Sequence, residues 1–221
     1  MDHMFKVYKL DLLIAVYIFC ICVAELMGGK TFPFISLGSL KLNASVAVFV
    51  VPVIFSINDV ITEVYGAART RSIVRSGLLV VVLIFLFSLL ATSLPASARF
   101  MEMEPAYDAI FSLSIRISAA SLTAFAIAEI LDVAIFARMK RRMGTRSLWV
   151  RNNASNFIAQ FFDTVIFITL AFYVLDMSIT ANVSFLASLI IPYWLLKCFM
   201  SVIETPFVYL GVRWLQKGEQ T

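Results

Sequence analysis

The sequence predicts an all-α integral membrane protein: a single domain spanning residues 1–221, with six transmembrane helices and both termini cytoplasmic. Three observations carry that expectation. Of 221 residues, 61% are hydrophobic and only 14% charged, and the mean hydropathy is +0.92. A soluble domain keeps roughly a quarter of its residues charged because its outside meets water, so this chain has too few charges to cover a globule. Six stretches approach the ~20 mostly apolar residues that a bilayer crossing needs. Lys and Arg fall in short runs between these stretches and alternate with loops nearly free of them, as topology signals do.

The first crossing runs from Leu10 to Met27. Lys6 and Lys9 before it resemble a signal-peptide start, but the apolar run continues past signal length to Glu25 and Gly28-Gly29 without a small-x-small cleavage site, so it is expected to remain as a helix. Gly28, Gly29 and Pro33 predict a turn-rich outer loop, with Phe32, Phe34 and Leu37 at the membrane interface. The second and third crossings run from Ala44 to Ile61 and from Ile73 to Leu94, with Arg69, Arg71 and Arg75 between them. The outer loop from Pro95 to Ser114 is expected to hold a short surface helix. The fourth crossing runs from Ile117 to Phe136; it opens on Arg116, expected to reach toward lipid headgroups, and is followed by Arg138, Lys140, Arg141, Arg142, Arg146 and Arg151. Ala120, Ala124 and Ala128 give it a small-xxx-small face, read as internal packing first and as a homodimer interface second. The fifth and sixth crossings run from Asn156 to Leu175 and from Phe185 to Leu210, and Arg213 and Lys217 follow. Every basic run then lies on one side, which the positive-inside rule makes cytoplasmic.

The same composition narrows the function. A net charge of +4 could suit nucleic acid, but the basic residues follow the loops rather than a phosphate footprint, so no nucleic-acid partner is expected. His3 is the only histidine, and Cys20, Cys22 and Cys198 lie within apolar stretches without metal-ligand spacing. Neither a zinc site nor a His-based triad is available, no cofactor is expected, and no Gly-rich phosphate loop points to ATP.

What stands out is polar residues at membrane depth, where an ionisable side chain costs about 2.5–3.5 kcal/mol on insertion scales and marks a functional position by default. Asn156, Gln160 and Asp163 share one face of the fifth crossing at i, i+4 and i+7, and Lys197, Ser201 and Glu204 repeat that spacing on the sixth. Asp59 and Glu63 lie one turn apart on the second, and Glu129 and Asp132 at i, i+3 on the fourth. Counting depth at 1.5 Å per residue puts Asp163 and Lys197 near mid-membrane; Gln160 and Asp163 are expected to face Lys197 or a shared ligand, and the plainer alternative is an internal salt bridge from Lys197 to Asp163 or Glu204. Glu25, near the outer mouth, is expected at the interface rather than on a ligand. The simplest geometry is a cavity between the second, fourth, fifth and sixth helices. Its carboxylates outnumber its cations, which disfavours phosphate or polycarboxylate cargo. Carboxylates, amides, one lysine and neighbouring aromatics suit a flat neutral or cationic heterocycle: a carboxylate can accept two parallel N–H bonds from a guanine-like edge and aromatic rings can stack on its face.

The stretches Asn58-Asp59-Val60-Ile61-Thr62-Glu63-Val64-Tyr65-Gly66, Glu129-Ile130-Leu131-Asp132-Val133-Ala134-Ile135-Phe136 and Gln160-Phe161-Phe162-Asp163-Thr164, with Arg116, Lys197 and Thr205-Pro206, resemble the VUT family of bacterial queuosine precursor transporters over nearly the whole chain. The resemblance implies an inner-membrane importer of 7-cyano-7-deazaguanine and 7-aminomethyl-7-deazaguanine, similar in shape to the substrate-binding components of energy-coupling-factor transporters but working without their ATPases. It places Asp59, Glu63, Glu129, Asp132, Gln160, Asp163 and Lys197 at family-typical positions, and Asn156 and Glu204 join them by the helical-face argument. Two rivals stand beside this reading: a substrate-binding subunit energised by a separate ATPase, and an intramembrane enzyme using Glu129, Asp132 and Asp163 as acid and base.

Overall fold

A computed structural model of the chain describes residues 8–37, 40–143 and 148–216. Side chains are described over most of that range, but not for Glu129, Asp132, Asn156, Ser201 and Glu204, whose contacts lie outside the described residues. Six long helices carry the fold: α1 Lys9–Met27, α2 Val51–Tyr65, α3 Ala67–Ser93, α4 Glu104–Met143, α5 Leu148–Phe172 and α6 Ile179–Gln216. Among the described residues five helical stretches are long and apolar enough to cross a membrane, and α5 contributes the shorter apolar stretch Phe157–Phe172. Large apolar side chains such as Leu79, Phe87, Leu170 and Phe199 stand exposed along these helices. In water that surface would be untenable, and in a bilayer it is the solvent-facing side.

Local sequence explains where the helices stop. Gly66, at φ 81°, sits in a backbone region that costs a side-chain-bearing residue strain, and it separates α2 from α3 in a single residue. α3 ends at Leu94, which is extended, as the residue before a proline prefers. Glu104 Oε1 then accepts from the Ala96 N–H at 3.0 Å, folding the connection back onto the start of α4.

Two connections differ from the sequence expectation. The first outer loop is an antiparallel β-hairpin, β1 Thr31–Leu37 and β2 Leu40–Ser45, followed by a 3-10 helix Val46–Phe49. Thr31, Phe32, Phe34 and Ile35 favour a pleated surface, which outweighed the turn signals, and Pro33 sits at the register irregularity where a missing N–H is tolerated. Phe32 stacks on Phe49 at 5.8 Å. The second outer loop holds no separate surface helix: its latter half is the first turns of α4, which runs 40 residues, or ~60 Å at 1.5 Å per residue. Pro105 lies in its first turn, where a missing N–H breaks no helical bond, so it is accommodated at the start of the helix.

Among the described residues three apolar clusters hold the helices together. Tyr17 and Ile21 of α1, Ile57 and Ile61 of α2, and Ile73 and Val81 of α3 form one. Ile168 of α5 packs with Leu186, Leu189 and Tyr193 of α6 in the second. Ile117 and Ala120 of α4 meet Ala171 of α5 in the third. Ala120 and Ala124 are both buried within the chain, so this part of the small-residue face serves internal packing. Gly77 lets α1 approach α3: a Cβ there would lie 2.6 Å from Ile21 Cδ1 and 2.9 Å from Tyr17 Cε1.

Candidate functional site

α5 and α6 are joined by a short connection that Asn182 organises. Its Oδ1 accepts from the Val174 N–H at 3.0 Å, and its Nδ2 donates to the carbonyls of Val174 at 2.7 Å and Met177 at 3.2 Å. Fixing this turn fixes the antiparallel register of the two helices. One consequence lies deep in the hairpin: Lys197 Nζ donates to Asp163 Oδ2 at 2.6 Å. Asp163 lies nine residues before Phe172, the end of α5, or ~14 Å along the axis, close to half the ~30 Å hydrocarbon thickness. The pair is the only ion pair among the described residues. Its side chains keep 13% of their surface exposed at Lys197 and 29% at Asp163, so the carboxylate is the more accessible partner.

Aromatic residues lie within three positions of each partner in sequence. Phe161 meets Trp194 edge-to-face at 5.4 Å, and Trp194 Nε1 donates to the Phe157 carbonyl at 3.4 Å. Gln160 is half-buried one turn before Thr164, whose hydroxyl donates to the Gln160 carbonyl at 2.8 Å. Asp59 and Glu63 stand exposed on α2 and form no ion pair among the described residues. On the same helix, Asn58 Oδ1 is buried with no hydrogen-bond partner among the described residues, an acceptor that α2 carries one residue before Asp59. The backbones of Glu129, Asp132, Asn156 and Glu204 lie in α4, α5 and α6; whether their side chains join the pair lies outside the described residues.

Two residues take places that sequence reasoning did not assign them. Arg116 does not reach for headgroups: its Nε donates to the Leu170 carbonyl at 2.8 Å and its NH2 group to the Tyr173 carbonyl. It caps the C-terminal carbonyls of α5, where a cation is favoured. Glu25 is buried rather than interfacial, with 6% of its surface exposed, and it accepts from the Ser118 hydroxyl at 2.9 Å, tying α1 to α4. Ser45 was missed altogether. Its hydroxyl donates to the Gly28 carbonyl at 2.5 Å and accepts from the Ala47 N–H, while its carbonyl accepts from the Tyr193 hydroxyl at 3.3 Å. With Asn43 Nδ2 on Ser188 Oγ at 2.8 Å, it fastens the β-hairpin to α6. Serine is common in loops, and nothing in its local pattern separates a linchpin from a solvated hydroxyl.

The family described as putative vitamin uptake transporter matches residues 45–211. A probable queuosine precursor transporter of Bacillus subtilis (strain 168) is 30% identical over 173 residues, covering 76% of this chain and 71% of that protein. The queuosine precursor transporter of Escherichia coli (strain K12) is 29% identical over 137 residues, 61% of this chain and 58% of the relative. A probable queuosine precursor transporter of Haemophilus influenzae is 28% identical over 126 residues, 55% of this chain and 49% of the relative. No solved structure matches the chain. The family match spans α2 through most of α6 and so includes both members of the buried ion pair: this chain belongs to the putative vitamin uptake transporter family.

Proposed function

We propose that this protein imports queuosine precursors, the bases 7-cyano-7-deazaguanine and 7-aminomethyl-7-deazaguanine, across the bacterial inner membrane by alternating access. The observation that carries the reading is the Lys197–Asp163 pair at mid-membrane, in a chain whose relatives are named queuosine precursor transporters. A charged pair at that depth is costly to keep unless it serves a ligand or a motion.

Asp163 accepts the parallel N–H groups of the guanine-like edge, and Lys197 and Gln160 donate to the ring carbonyl. For this the ammonium must leave the carboxylate and turn to the base, so the 2.6 Å contact describes the site closed on itself. A neutral base leaves the net charge of the pair unchanged, which keeps the loaded site tolerable in low dielectric. Asp59, Glu63, Glu129, Asp132, Asn156 and Glu204 line the path on α2, α4, α5 and α6, and a carboxylate among them receives the aminomethyl cation. Pro192 and Pro206 within α6 permit local bending. The contact of Lys9 of α1 with Trp214 of α6 supports both termini lying on one side, and the basic loops support that side being cytoplasmic.

The test is queuosine in tRNA, read by mobility shift in cells unable to synthesise the precursors. Expression of the protein restores the modified tRNA on feeding either base, and Asp163→Ala at normal membrane levels does not. Restoration by Asp163→Ala equal to wild type would remove the pair from the substrate path.

A further inference from the structure

The face of α3 turned away from the protein carries an arrangement that transport does not use. Ile73, Val81 and Ser88 are buried and Gly77 packs on α1, so at 100° per residue the opposite side of the helix looks outward. That side reads Arg71, Ser72, Arg75, Ser76, Leu79, Leu83, Leu86 and Leu90, all exposed. Its basic end is a shallow open surface formed by Ala68, Arg71, Ser72, Arg75, Ser76 and Leu79, all of α3. Among the described residues neither guanidinium has an ion-pair partner. Ser76 is turned to the Ser72 carbonyl at 3.0 Å, and the Ser72 hydroxyl stays exposed beside the two arginines.

We infer that this face is a binding site for an anionic glycerophospholipid, with the phosphodiester between Arg71 and Arg75 and an acyl chain along Leu79, Leu83 and Leu86. Three features select that occupant. Arg71 and Arg75 lie one helical turn apart, with ~6 Å of rise between their backbones, so both guanidiniums are within reach of a single phosphodiester, which they can hold with charge-assisted hydrogen bonds. From Arg75 to Leu86 is eleven residues, or ~16 Å, about the depth of one leaflet of a ~30 Å hydrocarbon core. This patch carries two positive charges and no carboxylate, so a zwitterionic headgroup would bring its own ammonium against them. The basic end lies at the α2–α3 junction, on the side where Lys9 meets Trp214. The inference does not rest on the identity of the transported base.

Native mass spectrometry of the full chain, released from micelles doped with phosphatidylglycerol or phosphatidylcholine, tests it. Wild type retains phosphatidylglycerol over phosphatidylcholine by about tenfold. The double variant Arg71→Gln/Arg75→Gln brings the ratio to about unity, and Arg138→Gln, at an exposed arginine of α4, leaves it unchanged. No preference in wild type, an intact preference in the double variant, or an equal loss in Arg138→Gln would each overturn the site. A Leu79→Trp reporter keeps both arginines and covers the case in which the double variant does not fold. Brominated phosphatidylglycerol quenches it more strongly than brominated phosphatidylcholine, and equal quenching refutes the inference.

Discussion

Replacing Lys197 by methionine tests the energetic role of the buried pair separately from its role in transport. The substitution keeps the length and apolar stem of the side chain and removes the ammonium that lies 2.6 Å from Asp163 Oδ2. Breaking a fully buried pair costs about 3–5 kcal/mol, because the remaining charge is left without compensation. Asp163 retains 29% exposure, so water recovers part of that loss and the expected cost is about 2 kcal/mol. For a chain of this size that is a fall in Tm of about 4–8 °C, measurable by fluorescence-detected size exclusion after heating. Asp163→Asn/Lys197→Met removes both charges and recovers most of the lost stability, giving a coupling of at least about 1 kcal/mol in the double-mutant cycle. Queuosine precursor uptake is lost in the single variants and in the double. Additivity within about 0.5 kcal/mol would refute the claim that these residues form one electrostatic unit. Uptake restored along with stability in the double variant would refute their role in holding the base.

Three further outcomes follow from the packing. Arg116→Gln strips the charged donors from the Leu170 and Tyr173 carbonyls; it lowers stability by about 1–2 kcal/mol, read as a thermal shift in detergent, with Arg116→Lys intermediate. Gly77→Val forces a Cβ to within 2.6 Å of Ile21 and costs about 1–3 kcal/mol as α1 and α3 separate, a loss that Ile21→Ala in the same chain partly relieves; Gly66→Ala meets open space yet costs about 1–3 kcal/mol through backbone strain alone, since φ 81° with ψ 161° is a region essentially reserved for glycine, and unchanged folded yield in Gly66→Ala would contradict this. Asn182→Ala leaves the Val174 N–H without its acceptor and destabilises by about 1–3 kcal/mol, seen as faster proteolysis at the α5–α6 connection.

The helices were legible because lipid imposes a simple rule: a crossing must be long, apolar and internally hydrogen-bonded, and the first crossing, expected from Leu10 to Met27, is the helix Lys9–Met27. The facing of Asp163 and Lys197 was legible for a related reason, since two charges at the same depth on consecutive antiparallel helices have few other partners. The outer connections were harder. A turn-rich composition around Gly28, Gly29 and Pro33 does not distinguish a loose loop from a hairpin, because the strand pairing Thr31↔Ser45 depends on residues fourteen apart. Arg116 and Glu25 were misplaced for the same reason: side chains near a helix end were assigned to the bilayer surface, while their actual partners, the end of α5 and Ser118, are brought close only by the tertiary fold. The wall that Glu129, Asp132, Asn156 and Glu204 are proposed to form rests still on helical spacing.

The contact of Lys9 with the Trp214 carbonyl and, at 4.9 Å, with its ring brings the start of α1 beside the end of α6. Residues 205 positions apart in sequence are neighbours in space, so the order in which the helices are inserted is separable from the order in which they stand. A short linker joining the start of α1 to the end of α6, with new termini opened between α5 and α6, would keep every helix beside its present neighbours while moving both ends of the chain to the opposite end of the helix bundle.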